Sequence, residues 1–320
     1  MKNGTDYVVT QPLTAYHWPF DVPTRLWQGV WVTKTPQLPT GKNSLLQWSL
    51  SGREIQELPM FPFWITLKFR SDDSQVGKRQ HRAITLVRYT RLAIQLIAPV
   101  GCDMSTIIVL RPNGVYSAAH LPSMTSTPWG RVAGYESCSL SEIRAAVRGV
   151  NTVFRFRVPQ LINALLFLEL GFGTDNPYIS TFLWTSALDA LLMAANPATF
   201  KDRLVNVLGD KTFVLPRVDP LGQPKYTVGE VADDIYEFRS KIAHGQLIPK
   251  KFLDPATLKD VNDNDIKVYT PYGPLLQYHH VIRECVLFLL IRVLRKIFLY
   301  GHAKTLLNAK AWRAKLNSPW

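Results

Sequence analysis

The sequence predicts an α+β chain in two parts: a β-rich N-terminal domain over residues 1–138, sandwich or barrel, then an all-helical domain over 139–320. Three observations carry this. Up to about residue 138 the chain is rich in Trp, Pro, Thr and β-branched residues in short runs, a composition that suits pleated, half-buried strands. Turn residues punctuate those runs. Beyond residue 138 apolar residues recur at helical spacing, between recognisable helix starts and stops.

In order, the strand candidates are 26–35 (LWQGVWVTKT), 62–71 (PFWITLKFRS), 81–89 (HRAITLVRY), 91–99 (RLAIQLIAP) and 106–119 (TIIVLRPNGVYSAA). SDDS, PVG and PNG separate them, and Asn113-Gly114 suits a hairpin because both residues tolerate positive φ. Six helices are expected after that. Ser139 or Ser141 caps a helix over 142–154, with Glu142 in the first turn where the helix dipole favours an acid. Pro159 opens the second, which ends at glycines, and Asn176-Pro177 and Asn196-Pro197 open the third and fourth. The fifth covers 228–245 and the sixth runs unbroken over 278–307. The connection over 246–274 is long for a helical bundle, and such loops are usually functional or mobile.

Composition narrows the classes. A hydrophobic fraction of 47% with 19% charged residues describes a folded chain. The formal charge of +13 favours polyanionic partners, nucleic acid or an anionic membrane face. Cys102, Cys138 and Cys285 are too few and too dispersed for a disulfide framework or a four-ligand zinc site. The first twenty residues lack the charged-then-apolar build of a secretory signal. Arg292, Arg295 and Lys296 interrupt the longest apolar run, so no membrane span is expected. A cytoplasmic location follows as the default. No cofactor or metal is expected: Asp254, Asp260, Asp263 and Asp265 lack calcium-loop spacing, and His279 and His280 point about 100° apart on a helix.

The stretch IYEFRSKIAHG, residues 235–245, holds the candidate chemistry. Ile235, Phe238 and Ile242 form its core stripe, while Arg239 and His244 lie about 140° apart on an ideal helix. Gly245 stands where a helix C′ residue turns left-handed. Read as isolated residues, this is a capped helix end whose Lys and His complement the dipole.

Its surroundings add a second reading. YEFRSKIAHG resembles the Arg-x4-His signature of the HEPN superfamily, in particular its Apea-like branch. FLWTSALDALLMA resembles the family's ALExLL helix, with Asp189 where a glutamate is usual, and FKDRLVNVLG resembles the intervening helix. The likeness covers roughly residues 158–300; Ser240 follows the arginine, as in much of the Apea-like branch. The resemblance implies a metal-independent endoribonuclease acting as a homodimer, and suggests antiviral defence against phage. His244 would take the proton of a ribose 2′-hydroxyl, since imidazole titrates near neutral pH. Arg239 would clamp the scissile phosphate with paired donors. Ser240, Lys241, Asp189 and Arg203 are the candidates for binding or steering RNA. The alternative is a non-catalytic HEPN-like module that binds nucleic acid or a protein partner.

Elsewhere, Glu169 is expected to hydrogen-bond within the bundle, because buried carboxylates require partners. The cations from Arg283 to Lys315 form a polar helix face or a phosphate track. Trp and Arg around the basic stretch 68–82 are either core or a surface for single-stranded RNA.

Overall fold

The computed structural model describes residues 4–13, 18, 20–36, 38, 50, 52–72, 74–97, 106–112, 114–120, 139–174, 176–210, 227–259, 265–267 and 277–320. Mixed α+β architecture holds, with an antiparallel sheet in the N-terminal part and helices in the C-terminal part. Two compact units divide the chain: residues 1–126 with 137–151, and a second carrying 152–320. The helix Leu140–Phe156 straddles that division.

The N-terminal unit contains strands β1 (Thr5–Leu13), β2 (Thr24–Trp27), β3 (Val30–Lys34), β4 (Phe63–Ser71), β5 (Thr106–Arg111) and β6 (Gly114–His120). They pair antiparallel in the order β2-β3-β4-β1-β5-β6. Among the described residues this is one open sheet with helices on it, neither sandwich nor barrel. The expected strands over 81–89 and 91–99 are instead a single helix; numbering the helices in chain order, α1 is Gly52–Glu57 and this one is α2, Val76–Ile97. Ala83, Val87, Thr90, Ile94 and Ile97 are buried along it. Those positions step by four and three, the period of a helix, and neither Gly nor Pro falls between 78 and 97. Short β-branched runs masked that longer period.

Register fixes the two faces. Val9 lies opposite Leu67 and Val109, and Val30 opposite Leu67, so these buried residues share one face. α2 packs there: Gln80 donates to Ser117 Oγ at 2.7 Å, and Ser117 pairs with Val109. The other face carries a core of Leu50, Leu58, Trp64, Ile108 and Val115 over part of its area. Asn113 and the PVG turn lie outside the described residues, but Gly114 adopts φ 134°, as the hairpin expectation requires.

The helices are α3 (Leu140–Phe156), α4 (Pro159–Phe172), α5 (Pro177–Leu192), α6 (Pro197–Leu208), α7 (Val228–Ala243), α8 (Lys250–Leu253), α9 (Tyr278–Leu299) and α10 (Ala309–Leu316). Their caps follow the residues read from sequence. Ser139 Oγ accepts from Glu142 N while Glu142 Oε2 accepts from Ser139 N, a reciprocal box. Asn176 and Asn196 cap α5 and α6 through their side-chain oxygens, each ahead of a proline at N1. α9 is buried on nearly every side and forms the centre of the bundle.

The sixth helix is shorter than expected. Gly301 turns left-handed at φ 72° and ends α9 at Leu299; a 3-10 turn over His302–Leu307 and α10 follow, capped by Asn308. Trp312 then donates to the Leu191 carbonyl at 2.7 Å. The long connection contains α8 and a small hairpin of β7 (Thr257–Lys259) and β8 (Asp265–Lys267). Asp254 is exposed; Asp260 and Asp263 lie outside the described residues, as do Cys102 and Cys138. Among the described residues no single helix is long and apolar enough to cross a membrane. Only α5 with α6, bent by 77°, reaches that composition as a pair, and its large apolar side chains Trp184, Leu188, Phe200 and Leu204 are buried.

α4 and α5 meet at Gly171. A Cβ there would sit 2.2 Å from the Nε1 of Trp184, whose indole donates to the Leu168 carbonyl at 3.1 Å. Gly171→Ala is therefore expected to destabilise the chain by about 1–3 kcal/mol through overpacking, read as a lower urea midpoint.

Candidate functional site

α7 begins with a capping box, Thr227 and Glu230 each bonding the other's backbone N–H. Its acids lie in the first three turns, and three of them are held by lysines from elsewhere. Asp233 pairs with Lys201 at 2.6 Å, while Asp234 and Glu237 share Lys251 at 2.6 and 2.7 Å. Arg239, Lys241 and His244 follow at the C-terminal end, the polarity a helix dipole favours. Val231, Ile235 and Phe238 are buried, with Ile242 only half-buried at the end of the stripe.

The helix end is closed rather than frayed. Gly245 is left-handed at φ 62°. Its N–H bonds the Ile242 carbonyl at 3.1 Å, and Gln246 N–H bonds the Lys241 carbonyl at 2.9 Å. These are the two bonds of a Schellman motif. The side chains at the same two positions meet as well, Lys241 Nζ donating to Gln246 Oε1 at 3.0 Å. His244 occupies the C-cap at φ −98°, ψ 7°, exposed. Ser240 is half-buried, and its carbonyl accepts the His244 N–H at 3.1 Å.

Arg239 turns the other way, toward α5. Its Nη2 lies 3.3 Å from Asp189 Oδ2, with the two side chains 25% and 19% exposed. The guanidinium also sits over the Tyr236 ring, 5.9 Å from its centroid. Burial raises the Asp189 carboxyl above its ordinary range, and Arg239 draws it part of the way back. The pair is incompletely satisfied: Arg239 Nε, Asp189 Oδ1 and Ser186 Oγ are all buried without a hydrogen-bond partner. Ser186 precedes Asp189 by one turn of α5, as Tyr236 precedes Arg239 on α7. Both were legible as i, i+3 pairs, yet neither was singled out from sequence.

The structure thus brings Arg239 and Asp189 together and groups Ser240, Lys241 and His244 on the helix end beside them. Among the described residues no hydrogen bond or ring contact links Arg239 to His244. Arg203 has a different task from the RNA steering expected of it. Its Nη1 donates to the Leu192 and Met193 carbonyls at 2.9 and 2.6 Å, and its Nε to Asn317 at 3.1 Å. It closes the end of α5, where Met193 is left-handed at φ 49°.

The cations after residue 278 are also largely tied down. Arg283 is buried, donating to Ser180 Oγ at 2.8 Å and lying over Trp184. Arg292 stacks on Phe288, and Lys296 donates to the Val207 carbonyl at 2.7 Å. The continuous phosphate track allowed by the sequence therefore reduces to exposed Lys304, Lys310 and Arg313. His279 is buried with its ring on Tyr178 and its Nδ1 3.1 Å from the Phe252 carbonyl; the His280 ring lies 4.1 Å from it. Glu169 is buried, as expected. Among the described residues, no three of His, Cys, Asp or Glu converge where a metal ion would be held.

No family model, no curated protein and no solved structure matches the chain.

Two predictions follow from these titratable groups. Asp189→Ala strands a largely buried guanidinium; it should lower stability by about 1–2 kcal/mol, reduced from a fully buried pair by residual solvent. A double-mutant cycle with Arg239→Ala measures the coupling. The second concerns Glu284, raised by burial to about 7 from 4.5 despite Arg283 at 3.3 Å, and His280, lowered by burial to about 4 from 6.5. A raised carboxyl stabilises the fold below pH 4.5 and loses that contribution as pH rises through about 7. A lowered imidazole contributes above pH 6.5 and loses it as pH falls through about 4. The two slopes oppose each other. Relative to the native chain, Glu284→Gln should therefore gain about 3 kcal/mol as pH rises from 4.5 to 7, and His280→Gln should gain as pH falls from 6.5 to 4. Urea denaturation across this range reads both.

Proposed function

We propose that the C-terminal unit is a HEPN-like helical bundle acting, as a homodimer, as a metal-independent endoribonuclease through Arg239 and His244. The observation that carries this reading is the Arg239–Asp189 ion pair at 3.3 Å. Two residues singled out by separate motif segments, fifty positions apart, meet across α5 and α7, and α7 ends on exposed His244.

The chemistry is a transesterification. His244 removes the 2′-hydroxyl proton, the 2′-oxygen attacks phosphorus, and the P–O5′ bond breaks as the leaving 5′-oxygen takes a proton from water, giving a 2′,3′-cyclic phosphate and a 5′-hydroxyl. Arg239 offers paired N–H donors to the oxygens on which charge grows. The guanidinium is partly exposed, and Asp189 steadies its Nη2 while the accessible N–H groups face a phosphate oxygen. Arg239 and His244 stand about 140° apart on one helix, and the Schellman closure keeps that end wound. A second chain is therefore needed to set a histidine against each arginine, and this supports the dimer. The same closure favours the non-catalytic binding module as the second reading.

Mixed single-stranded RNA in EDTA discriminates them. The native chain is expected to release cyclic-phosphate ends, with His244→Ala and Arg239→Ala each slowed at least about 100-fold. Unchanged cleavage in either variant rejects the site. No cleavage by the native chain favours the binding module.

A further inference from the structure

The β2–β3–β4 end of the sheet has a composition that the catalytic reading does not use. Arg25 on β2 lies directly opposite Trp31 on β3, and Trp31 opposite Thr66 on β4. Directly opposed residues share a face, and alternation adds Lys68 and Arg70 from β4 with Val8 and Asp6 from β1. This is the face whose other part is covered by Leu50 and Leu58 over Trp64, Ile108 and Val115. In this part, Arg25 and Lys68 are exposed, Trp31 is half-buried and Thr66 is buried.

Physical chemistry disfavours that surface as a mere spare face. Trp is among the costliest side chains to leave in water, and on a sheet it normally points to the core. Trp31 instead lies among cations, with the Arg25 guanidinium 5.9 Å from its ring centroid. The acid on this face, Asp6, has Arg70 Nε at 3.9 Å. The arrangement continues around the edge strand. Arg148 of α3 stacks at 5.9 Å on Trp27, and Arg144 donates to the Arg25 carbonyl at 3.0 Å. Arg25 and Lys68 lie two strands apart and two residues out of line, on the order of 12 Å, with Trp31 on the strand between them. Flat aromatic rings flanked by cations that outnumber acids match an unpaired polynucleotide, whose bases stack while its phosphates meet the cations.

We infer that this face, built on Arg25, Trp31 and Lys68, binds single-stranded RNA, as a second contact separate from the Arg239–His244 helix end. The choice of RNA among polyanions rests on the endoribonuclease reading; the platform itself rests on the sheet. Bases stack on Trp31, and Arg25 and Lys68 take successive phosphates. This contact is sequence-tolerant, since every base has a π-face.

Fluorescence anisotropy with a short fluorescein-labelled single-stranded RNA tests it. The full chain carries His244→Ala throughout, so that the probe survives. Trp31→Ala should weaken binding roughly fivefold to a hundredfold, and Trp31→Phe should restore most of it. Arg25→Glu with Lys68→Glu should weaken binding at least tenfold and flatten the salt slope by about 0.7 for each lost cation. Lys310→Glu with Arg313→Glu, an equal charge change on exposed residues of α10, should have a much smaller effect. Thermal melting of each variant guards against loss of fold. Unchanged affinity in both platform variants overturns the inference, as does equal weakening by the α10 pair. Equal competition by double-stranded RNA also overturns it, because paired bases cannot stack on Trp31. Cleavage by the native chain is read separately, so the endoribonuclease reading and the platform fail independently.

Discussion

The site depends on how a half-buried guanidinium is held between two helices. Arg239 cannot be withdrawn from water without a counter-charge, and Asp189 on α5 supplies it at 3.3 Å. The buried side chains Leu188, Ile235 and Phe238 set the packing of α5 and α7, and the ion pair is consistent with it. The pair decides which way the motif arginine points. With Arg239 turned inward and Gly245 closing α7 by backbone hydrogen bonds, His244 is left on the exposed end. The ion pair is nevertheless not saturated. Burial lifts the Asp189 carboxyl, and one atom of each partner has nothing to bond.

Polar groups divide into structural and available ones through the same accounting. Arg203, Arg283 and Lys296 look like RNA-binding cations in one dimension. In three dimensions they satisfy helix-end carbonyls, a serine hydroxyl and a bundle carbonyl. Among the described residues, exposed cations remain on the α10 surface, on the first turns of α2 and on the sheet face around Trp31. The α10 surface and the sheet face lie in different units, and the sheet face places a tryptophan among its cations.

Much of the helical part was legible because its signals are local. Ser139, Asn176, Asn196 and Thr227 cap the helices they precede, and Gly245 takes the left-handed turn its position implied. The N-terminal part was less so. The helix α2 hides a four-and-three spacing inside β-branched runs that imitate strands, and only a longer window separates the two periods. β1, the strand that joins both halves of the sheet, contains Pro12 and was not read as a strand. The unbroken helix expected over 278–307 ended at Gly301, because the apolar pattern continues past a backbone that turns left-handed.

By itself the sequence determined the α+β division, the helix caps, the positive charge and a short segment carrying an arginine, a histidine and a terminal glycine. Those features arise from contacts within a few residues or from composition, so one dimension contains them. Tertiary structure decided the rest: that Asp189 faces Arg239, that Arg203 closes a helix, and that Trp31 stands among cations on one face of the sheet. Each of these joins residues from different elements, and burial sets the energy of each. Neither the partner nor the burial is specified by a residue's neighbours in the chain.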